Sequence, residues 1–460
     1  MGKQIFGETD GIRAKVGTSP LRPNVLKGLG VAIAEEMNLK KILTARDTRE
    51  SGSWIKDCLA EGLKKKGVEI EDLGILPTPA IQKIIENTEC DGGIMVTASH
   101  NPATDNGVKL FGADGDKTSD ETELNIEKRF FEYELDADNE PEEREFVDLG
   151  VDAEYVKKYA QAASETLGLA YNGEEDVPED YIRGAGEFLM DSASGAGYSF
   201  SHVVFEDFGF EVKNIDPEPT GKNINDGFGA LHPEKLGKEC KQKGLMGIAL
   251  DGDADRAILV DEYGRVWNGD RIVSMLALYL KEKGELKNDT VVLTEYSNLA
   301  AIKYLESKGI RVEKVVVGDR AVARKCKELG AILGGENAGH IIYLPWLNGS
   351  DGSFIALFAR KIMQEKECAL ADLWPDYEEF PNMQLAVKVK EKRPLEKVNG
   401  WEAVKNRAEE VLDGRGRVFT RYSGTENKLR ILVEGPDQRE DETIAELLAD
   451  VIRKEIGDED

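Results

Sequence analysis

Short apolar runs, each closed by glycine or a polar loop, alternate with amphipathic helical stretches along almost the whole chain. Residues 41–45 (Lys-Ile-Leu-Thr-Ala) and 93–97 (Gly-Ile-Met-Val-Thr) are two such runs, and 203–205, 211–215, 247–250, 290–293, 312–317 and 385–389 read the same way. Apolar positions three and four apart predict helices over 24–37, 270–283 and 299–308. Strand and helix patterns taken in turn require βαβ units, hence an α/β fold with mixed or parallel sheets covered by helices. From Gln384 the order changes to strand, helix, strand, strand, helix, which predicts a smaller α+β domain at the C-terminal end.

A chain of 460 residues at roughly 100–200 per domain makes three or four domains. Acidic runs at 132–145 and 173–180 read as a linker and a surface insertion, and 374–381 as a joint. The expected division is 1–150, 151–250, 251–372 and 373–460.

The formal net charge of −28 argues against nucleic acid or an anionic membrane as partner. A phosphate-bearing ligand would therefore need local clusters of Arg and Lys. No run approaches the ~18 apolar residues of a membrane span, and the opening Met1-Gly2-Lys3-Gln4-Ile5-Phe6 lacks the apolar stretch of a secretion signal. Cys58, Cys90, Cys240, Cys326 and Cys368 are scattered and odd in number. They predict reduced thiols in a cytoplasm rather than a disulfide or zinc framework.

Four segments carry chemistry. In Thr97-Ala98-Ser99-His100-Asn101-Pro102 a strand ends in a polar loop, which exposes Ser99 as a nucleophile that His100 or Lys109 could activate. The G-x-S-x-G elbow of hydrolases is absent. In Asp251-Gly252-Asp253-Ala254-Asp255-Arg256 three carboxylates spaced by two follow an apolar run and suit a hard cation such as Mg²⁺. An EF-hand is rejected, because Arg256 stands where that loop needs glycine. Arg256 beside a cation site points to phosphoryl transfer. Gly334-Gly335-Glu336-Asn337-Ala338-Gly339-His340 offers a carboxylate and a carboxamide between glycines, suited to sugar hydroxyls. In Arg421-Tyr422-Ser423-Gly424-Thr425-Glu426-Asn427-Lys428-Leu429-Arg430, backbone N–H groups around a glycine, two hydroxyls and two Arg make an anion nest.

In this order and spacing the four segments resemble the α-D-phosphohexomutase superfamily, nearly end to end from Phe6 to Gly435. Phe6-Gly7-Glu8-Thr9-Asp10-Gly11-Ile12-Arg13 is similar to its N-terminal signature, with Glu8 inserted, and Ala45-Arg46-Asp47-Thr48-Arg49-Glu50-Ser51-Gly52 to a second family segment. The resemblance implies three related mixed-sheet α/β domains and a C-terminal α+β domain around a central cleft. It implies that Ser99 carries a phosphoryl group between C1 and C6 of a hexose through a hexose 1,6-bisphosphate, with Arg13 nearby. It assigns one Mg²⁺ to Asp251, Asp253, Asp255 and the phosphorylated Ser99. It places Glu336, Asn337, Ala338, His340 and Arg320 at the sugar, although Ala338 stands where the family more often has Ser. Arg421, Ser423, Gly424, Thr425 and Arg430 are assigned to the phosphate that is not reacting. Asn427 stands where Pro is common.

The Ala98 variant of the serine motif, with Lys222-Asn223-Ile224-Asn225 and Val317-Gly318-Asp319-Arg320, looks most like the branch acting on glucosamine phosphates. The branch acting on mannose and glucose phosphates is the runner-up. An amino sugar would call for a carboxylate beside its amine, and Glu336 is the candidate. The expected partner is a small sugar phosphate, with the protein a monomer or homodimer. A sensor without catalysis or a phosphatase are the alternatives from other classes; retention of Ser99 and all three Asp speaks against the first.

Overall fold

The computed structural model describes residues 5–6, 11–132, 152–172, 186–423 and 427–458. The acidic stretches of the expected linker and insertion, beyond Glu132 and Asn172, lie outside the described residues, as do 7–10 of the N-terminal signature. The chain divides into two compact units. One comprises Met1–Tyr296 with Ile310–Pro375, the other Ser297–Gly309 with Asp376–Asp460.

The larger unit holds three sheets built to one plan. The first contains β1 (Ile12–Lys15), β2 (Lys41–Arg46), β3 (Glu69–Ile75), β4 (Gly92–Val96) and β5 (Asp105–Gly112), in the order β1-β5-β4-β2-β3. Strand β2 is parallel to both β3 and β4, and β5 returns antiparallel to β4. The second contains β6 (Gly186–Asp191), β7 (Phe210–Asn214), β8 (Gly247–Ala249), β9 (Ile258–Val260) and β10 (Val266–Trp267), in the order β10-β9-β8-β6-β7. The third has β11 (Thr290–Thr294), β12 (Arg311–Val315), β13 (Leu333–Gly335) and β14 (Ile341–Tyr343), in the order β12-β11-β13-β14. In each, one strand (β2, β6 or β11) is flanked in parallel by the next two in sequence, and the strand after those runs antiparallel beside the second of them.

Helices cover these sheets. The first is wrapped by α1 (Pro23–Glu36), α2 (Gly52–Lys65), α3 (Thr78–Glu86) and α4 (Asp120–Phe131), and α5 (Ala153–Leu167) leads to the second. There follow α6 (Gly197–Asp207), α7 (Glu234–Lys243) and α8 (Gly269–Glu282), then α10 (Asp319–Leu329) and α11 (Gly352–Lys366), whereas α9 (Leu299–Ser307) belongs to the smaller unit. Real side-chain caps start several of them: Asp152, Asn268 and Asp351 each accept a first-turn N–H.

Two expectations need correction. The run 203–205, read as a strand, lies inside α6, whose buried residues Gly197, Phe200, Ser201, Val204 and Phe205 recur at helical spacing. Three apolar residues in a row do not distinguish the two structures. The second sheet continues past the Asp251 loop to Trp267, so a boundary at 250/251 cuts through it.

The smaller unit contains β15 (Asn382–Lys388), α12 (Trp401–Leu412), β16 (Arg417–Tyr422), β17 (Lys428–Glu434) and α13 (Gln438–Ile456), in the expected order. Its antiparallel sheet, β15-β17-β16, packs Val387, Leu429, Ile431 and Val433 against Trp401, Leu412, Leu448 and Ile452.

Helices α1 and α2 cross at glycines. A Cβ on Gly62 would meet the Lys27 carbonyl oxygen at 2.1 Å and the Gly30 Cα at 2.9 Å. Ala normally gains up to ~1 kcal/mol over Gly inside a helix, but overpacking against backbone costs about 1–3 kcal/mol. Gly62→Ala is therefore expected to lower the melting temperature. A variant melting at or above wild type shows that the two helices part freely.

Candidate active site

In an open sheet with parallel strands, ligands bind beyond the carboxyl ends of adjacent strands whose connections lead in opposite directions. Here those pairs are β2/β4, β6/β8 and β11/β13. Ser99 follows β4, the Asp251–Asp255 loop follows β8, and Glu336 follows β13. Three motifs far apart in sequence thus occupy the same place in three copies of one plan.

Ser99 is buried and sits in the left-handed region, φ 50°. Its Oγ donates to Asp251 Oδ2 at 2.7 Å and lies 3.3 Å from His100 Nδ1. Burial, then the charges of Arg256 and Arg13, push the His100 imidazole down to about 3, so it is neutral near pH 7. Arg13, on β1 opposite Gly107 of β5, has a buried Nε without a hydrogen-bond partner. That donor suits an anion near Ser99.

Asp251, Asp253 and Asp255 are buried, and one oxygen of each lies within 4.8 Å of the others. Burial and the carboxylates of Asp255 and Asp253 push Asp251 up to about 7. Lys109, from β5, donates to Asp253 at 2.7 Å and Asp255 at 2.9 Å, and Thr78 at the head of α3 donates to Asp253 at 2.5 Å. Burial works against charge on Asp255, but Lys109 and His340 override it and hold its carboxyl well below the usual range. Asp253 Oδ1 is buried with no partner. An orphaned carboxylate oxygen among three converging carboxylates is the donor set of a hard divalent cation, so these residues fit Mg²⁺. Glu262, twelfth in the run from Asp251, caps the turn at Leu370 and Ala371 by accepting their backbone N–H groups at 3.2 and 3.0 Å.

His340 joins the second and third loops. Its Nε2 lies 3.2 Å from Asp255 Oδ1 and its Nδ1 2.7 Å from Glu336 Oε2. Burial and Arg256 oppose a charge on it, yet Asp255 and Glu336 push it up to about 10. Arg256 Nε lies 3.3 Å from His340 Nε2 and 3.7 Å from Asp251 Oδ2. Ser99, His100, Lys109, Arg256, His340, Glu336 and the three Asp are therefore one cluster. Glu336 also accepts the Gly318 N–H at 2.6 Å, so both its oxygens already have partners. Asn337 donates to Asp270 at 2.9 Å, and Ala338 is exposed. Arg320 is turned to α4, where it pairs with Asp120 and Glu123 at 2.9 Å each.

The anion nest belongs to the smaller unit. Arg421 of β16 and Arg430 of β17 are directly opposite in register, and the Ser423 N–H closes the hairpin on the Lys428 carbonyl at 2.8 Å. Like charges facing each other across strands are unfavourable. Gly424 and Thr425 lie outside the described residues.

Residues that the sequence reading left without a role also converge here. Asp47 Oδ2 accepts from Thr97 Oγ1 at 2.7 Å and from Arg49 Nε at 2.9 Å. Lys117 pairs with Asp319 at 2.5 Å. The signal for Asp47 and Arg49 was two opposite charges just after the largely apolar run 42–45, where unpaired charge is costly.

Residues 3–137 match phosphoglucomutase/phosphomannomutase, α/β/α domain I; 268–380 match domain III; and 385–451 match the C-terminal domain. A phosphoglucosamine mutase of Bdellovibrio bacteriovorus is 36% identical over 464 aligned residues, covering 99% of each chain. The chain belongs to the phosphohexomutase family. A solved phosphoglucomutase/phosphomannomutase family protein from Burkholderia thailandensis shares the fold at a TM-score of 0.74 and 20% identity, over 98% of this chain and 97% of that one. The N-acetylphosphoglucosamine mutase of Aspergillus fumigatus, solved with GlcNAc-6P and magnesium, does so at 0.58 and 21%, over 82% and 92%. As a phosphohexomutase the chain is an isomerase, and the third-domain match starting at 268 follows directly on the last strand of the second sheet.

A cation held by the folded triad stabilises it by mass action, about 2.7 kcal/mol at a hundredfold excess over Kd. Mg²⁺ is expected to raise the melting temperature of the chelator-treated protein, and the rise should vanish in Asp253→Asn. An equal rise in the variant places the cation elsewhere.

Proposed function

We propose that this phosphohexomutase interconverts glucosamine 6-phosphate and glucosamine 1-phosphate through a phosphorylated Ser99 and a 1,6-bisphosphate. The observation that carries it is the Ser99 hydroxyl 2.7 Å from the first carboxylate of a buried triad, in a chain matching phosphoglucosamine mutases over its full length. The sugar O1 attacks the phosphoserine phosphorus and the bond from phosphorus to Ser99 Oγ breaks, leaving its electron pair on that oxygen. The O1 proton passes to a base at the site, for which His100, 3.3 Å from Ser99 Oγ, and Lys109 are the candidates. The intermediate turns over and Ser99 Oγ attacks its 6-phosphate phosphorus, which restores the phosphoserine and frees O6 to take up a proton. Lys109 donates to two carboxylates, which suits a fixed positive charge better than a base. A Mg²⁺ held by Asp251, Asp253 and Asp255 supplies positive charge for the phosphoryl oxygens. Arg13 and Arg256 add theirs, and pre-placed charge is the main lever in phosphoryl transfer. Arg421, Ser423, Gly424, Thr425 and Arg430 are proposed to hold the non-reacting phosphate. Five free thiols fit a reducing cytoplasm.

Ser99→Ala is expected to fold and to lose activity by several orders of magnitude, and intact mass should show part of the wild type one phosphate heavier. An active variant sinks the mechanism. Arg421→Ala should act mainly on KM, because its phosphate is bound equally in ground and transition states, whereas Arg256→Ala should act mainly on kcat. Equal effects on kcat contradict that division. The domain descriptions support mannose and glucose phosphates as the second reading. Each Glu336 oxygen has one partner and a lone pair left to accept a second bond, so Glu336 is the proposed amine contact, and one charge-assisted bond gives roughly tenfold to a hundredfold preference. A kcat/KM for glucose or mannose 6-phosphate equal to that for glucosamine 6-phosphate promotes the runner-up.

A further inference from the structure

Ser99 is held in its left-handed conformation from both sides. On its amino side, the Ser99 N–H donates to Thr97 Oγ1 at 2.8 Å, and Thr97 Oγ1 donates to Asp47. On its carbonyl side, two donors meet one oxygen. Arg49 Nη2 reaches the Ser99 carbonyl at 2.9 Å and the Asn101 carbonyl at 2.8 Å. Asn225 Nδ2 reaches the same two oxygens at 2.9 and 3.0 Å.

Arg49 is fully buried and its fork is filled: Nε holds Asp47, and Nη1 takes the carbonyls of Pro102 and Asp105. A planar guanidinium with its donors fixed on the carbonyls of one loop is a rigid template for that loop. Asn225 comes from the second domain. Its own N–H is tied to the Ala193 carbonyl at 2.9 Å, and it too is left-handed, φ 58°. A first-domain fork and a second-domain amide therefore converge on the backbone of the nucleophile.

We infer that Asn225, with the Asp47–Arg49 pair, is a positioning residue for phosphoryl transfer: it fixes the Ser99 peptide so that Oγ points at the metal loop. The need is geometric. A non-Gly left-handed residue is strained and persists only where its surroundings over-determine it. With the amide of Asn225 gone, the Ser99 carbonyl keeps Arg49 alone, and the peptide plane gains freedom to tilt. Asn225 touches neither Oγ nor any triad carboxylate in the contacts that define it, so its effect runs through Ser99. The inference rests on Ser99 as the phosphoryl carrier.

Two Asn225 variants separate positioning from packing. Asn225→Gly deletes the amide and tolerates the left-handed backbone. Asn225→Asp keeps the shape and sets a carboxylate against two carbonyls in place of a donor. Steady-state kinetics on glucosamine 6-phosphate with Mg²⁺, melting temperatures and a Ser99→Ala control make the experiment. Misplacement of a reacting group by about an ångström costs on the order of a hundredfold. Asn225→Gly should lose roughly tenfold to a hundredfold in kcat with KM within about twofold, and Asn225→Asp should lose more, both melting above the assay temperature. If both keep kcat within about twofold of wild type while Ser99→Ala is inactive, the positioning role is overturned. It is equally overturned if Asn225→Asp matches wild type and only Asn225→Gly is impaired, which is the signature of a space-filling side chain. An active Ser99→Ala instead removes the carrier reading on which the inference stands.

Discussion

The hydrogen bond from Ser99 to Asp251 ties together two sheets that share no strand, and a cluster of buried charge is arranged around it. Three carboxylates in one dry spot repel one another, and an isolated buried charge is among the costliest features a fold can carry. The compensation comes from elsewhere in the chain. Lys109 is supplied by the first sheet and His340 by the turn after β13 of the third, while Arg256 stands beside the carboxylates themselves. Each cation is correctly placed only when all three sheets are in register, so charge matching specifies how they meet. Asp253 keeps one oxygen in reserve. That residual negative charge suits the cluster to a cation rather than to a closed salt bridge.

Much of this was legible in the sequence because chemistry and loops coincide there. Ser99, Asp251, Asp253, Asp255, Glu336 and His340 each follow a short apolar strand, and a polar motif after such a strand is easy to see. The C-terminal order of strand, helix, strand, strand, helix was equally plain, since each element is long enough for its period to register. What stayed hidden depends on pairing over distance. Arg49 acts on carbonyls 50 and 52 residues away, and Asn225 on the same carbonyls 126 and 124 residues away. Neither contact leaves a local pattern, because a backbone oxygen is present at every position. The common plan of the three sheets was reached only through the family resemblance: it resides in strand order, which different sequences can share.

Two places were misread, each for its own physical reason. Residues 203–205 are apolar and partly β-branched, yet their neighbours at three and four residues' spacing decide for a helix. The expected boundary at 250/251 followed the most conspicuous motif, the Asp triad. A metal loop at the carboxyl end of β8 is an interior turn of its sheet, because β9 must still return antiparallel to cover that edge. Conspicuous polar loops therefore mark the active face of an α/β domain, not its end.

Glycine explains how the loops come so near one another. A Cβ on Gly252, between the first two metal carboxylates, would stand 2.6 Å from the Ser99 carbonyl oxygen and 2.8 Å from Ile224 Cδ1. A Cβ on Gly269, at the start of α8, would stand 1.8 Å from the Glu336 carbonyl oxygen. Both glycines are needed for close approach of backbone to backbone, the one role no other residue fills. The Asp-Gly-Asp pattern thus answers two demands at once: carboxylates for a cation, and a bare Cα on which the nucleophile's loop can rest. Backbones in direct contact transmit displacement with little slack, since a close-packed interior does not deform continuously. For a reaction that is mostly positioning and charge neutralisation, an active site assembled from three abutting main chains is more rigid than one that relies on long side chains to bridge the gaps between them.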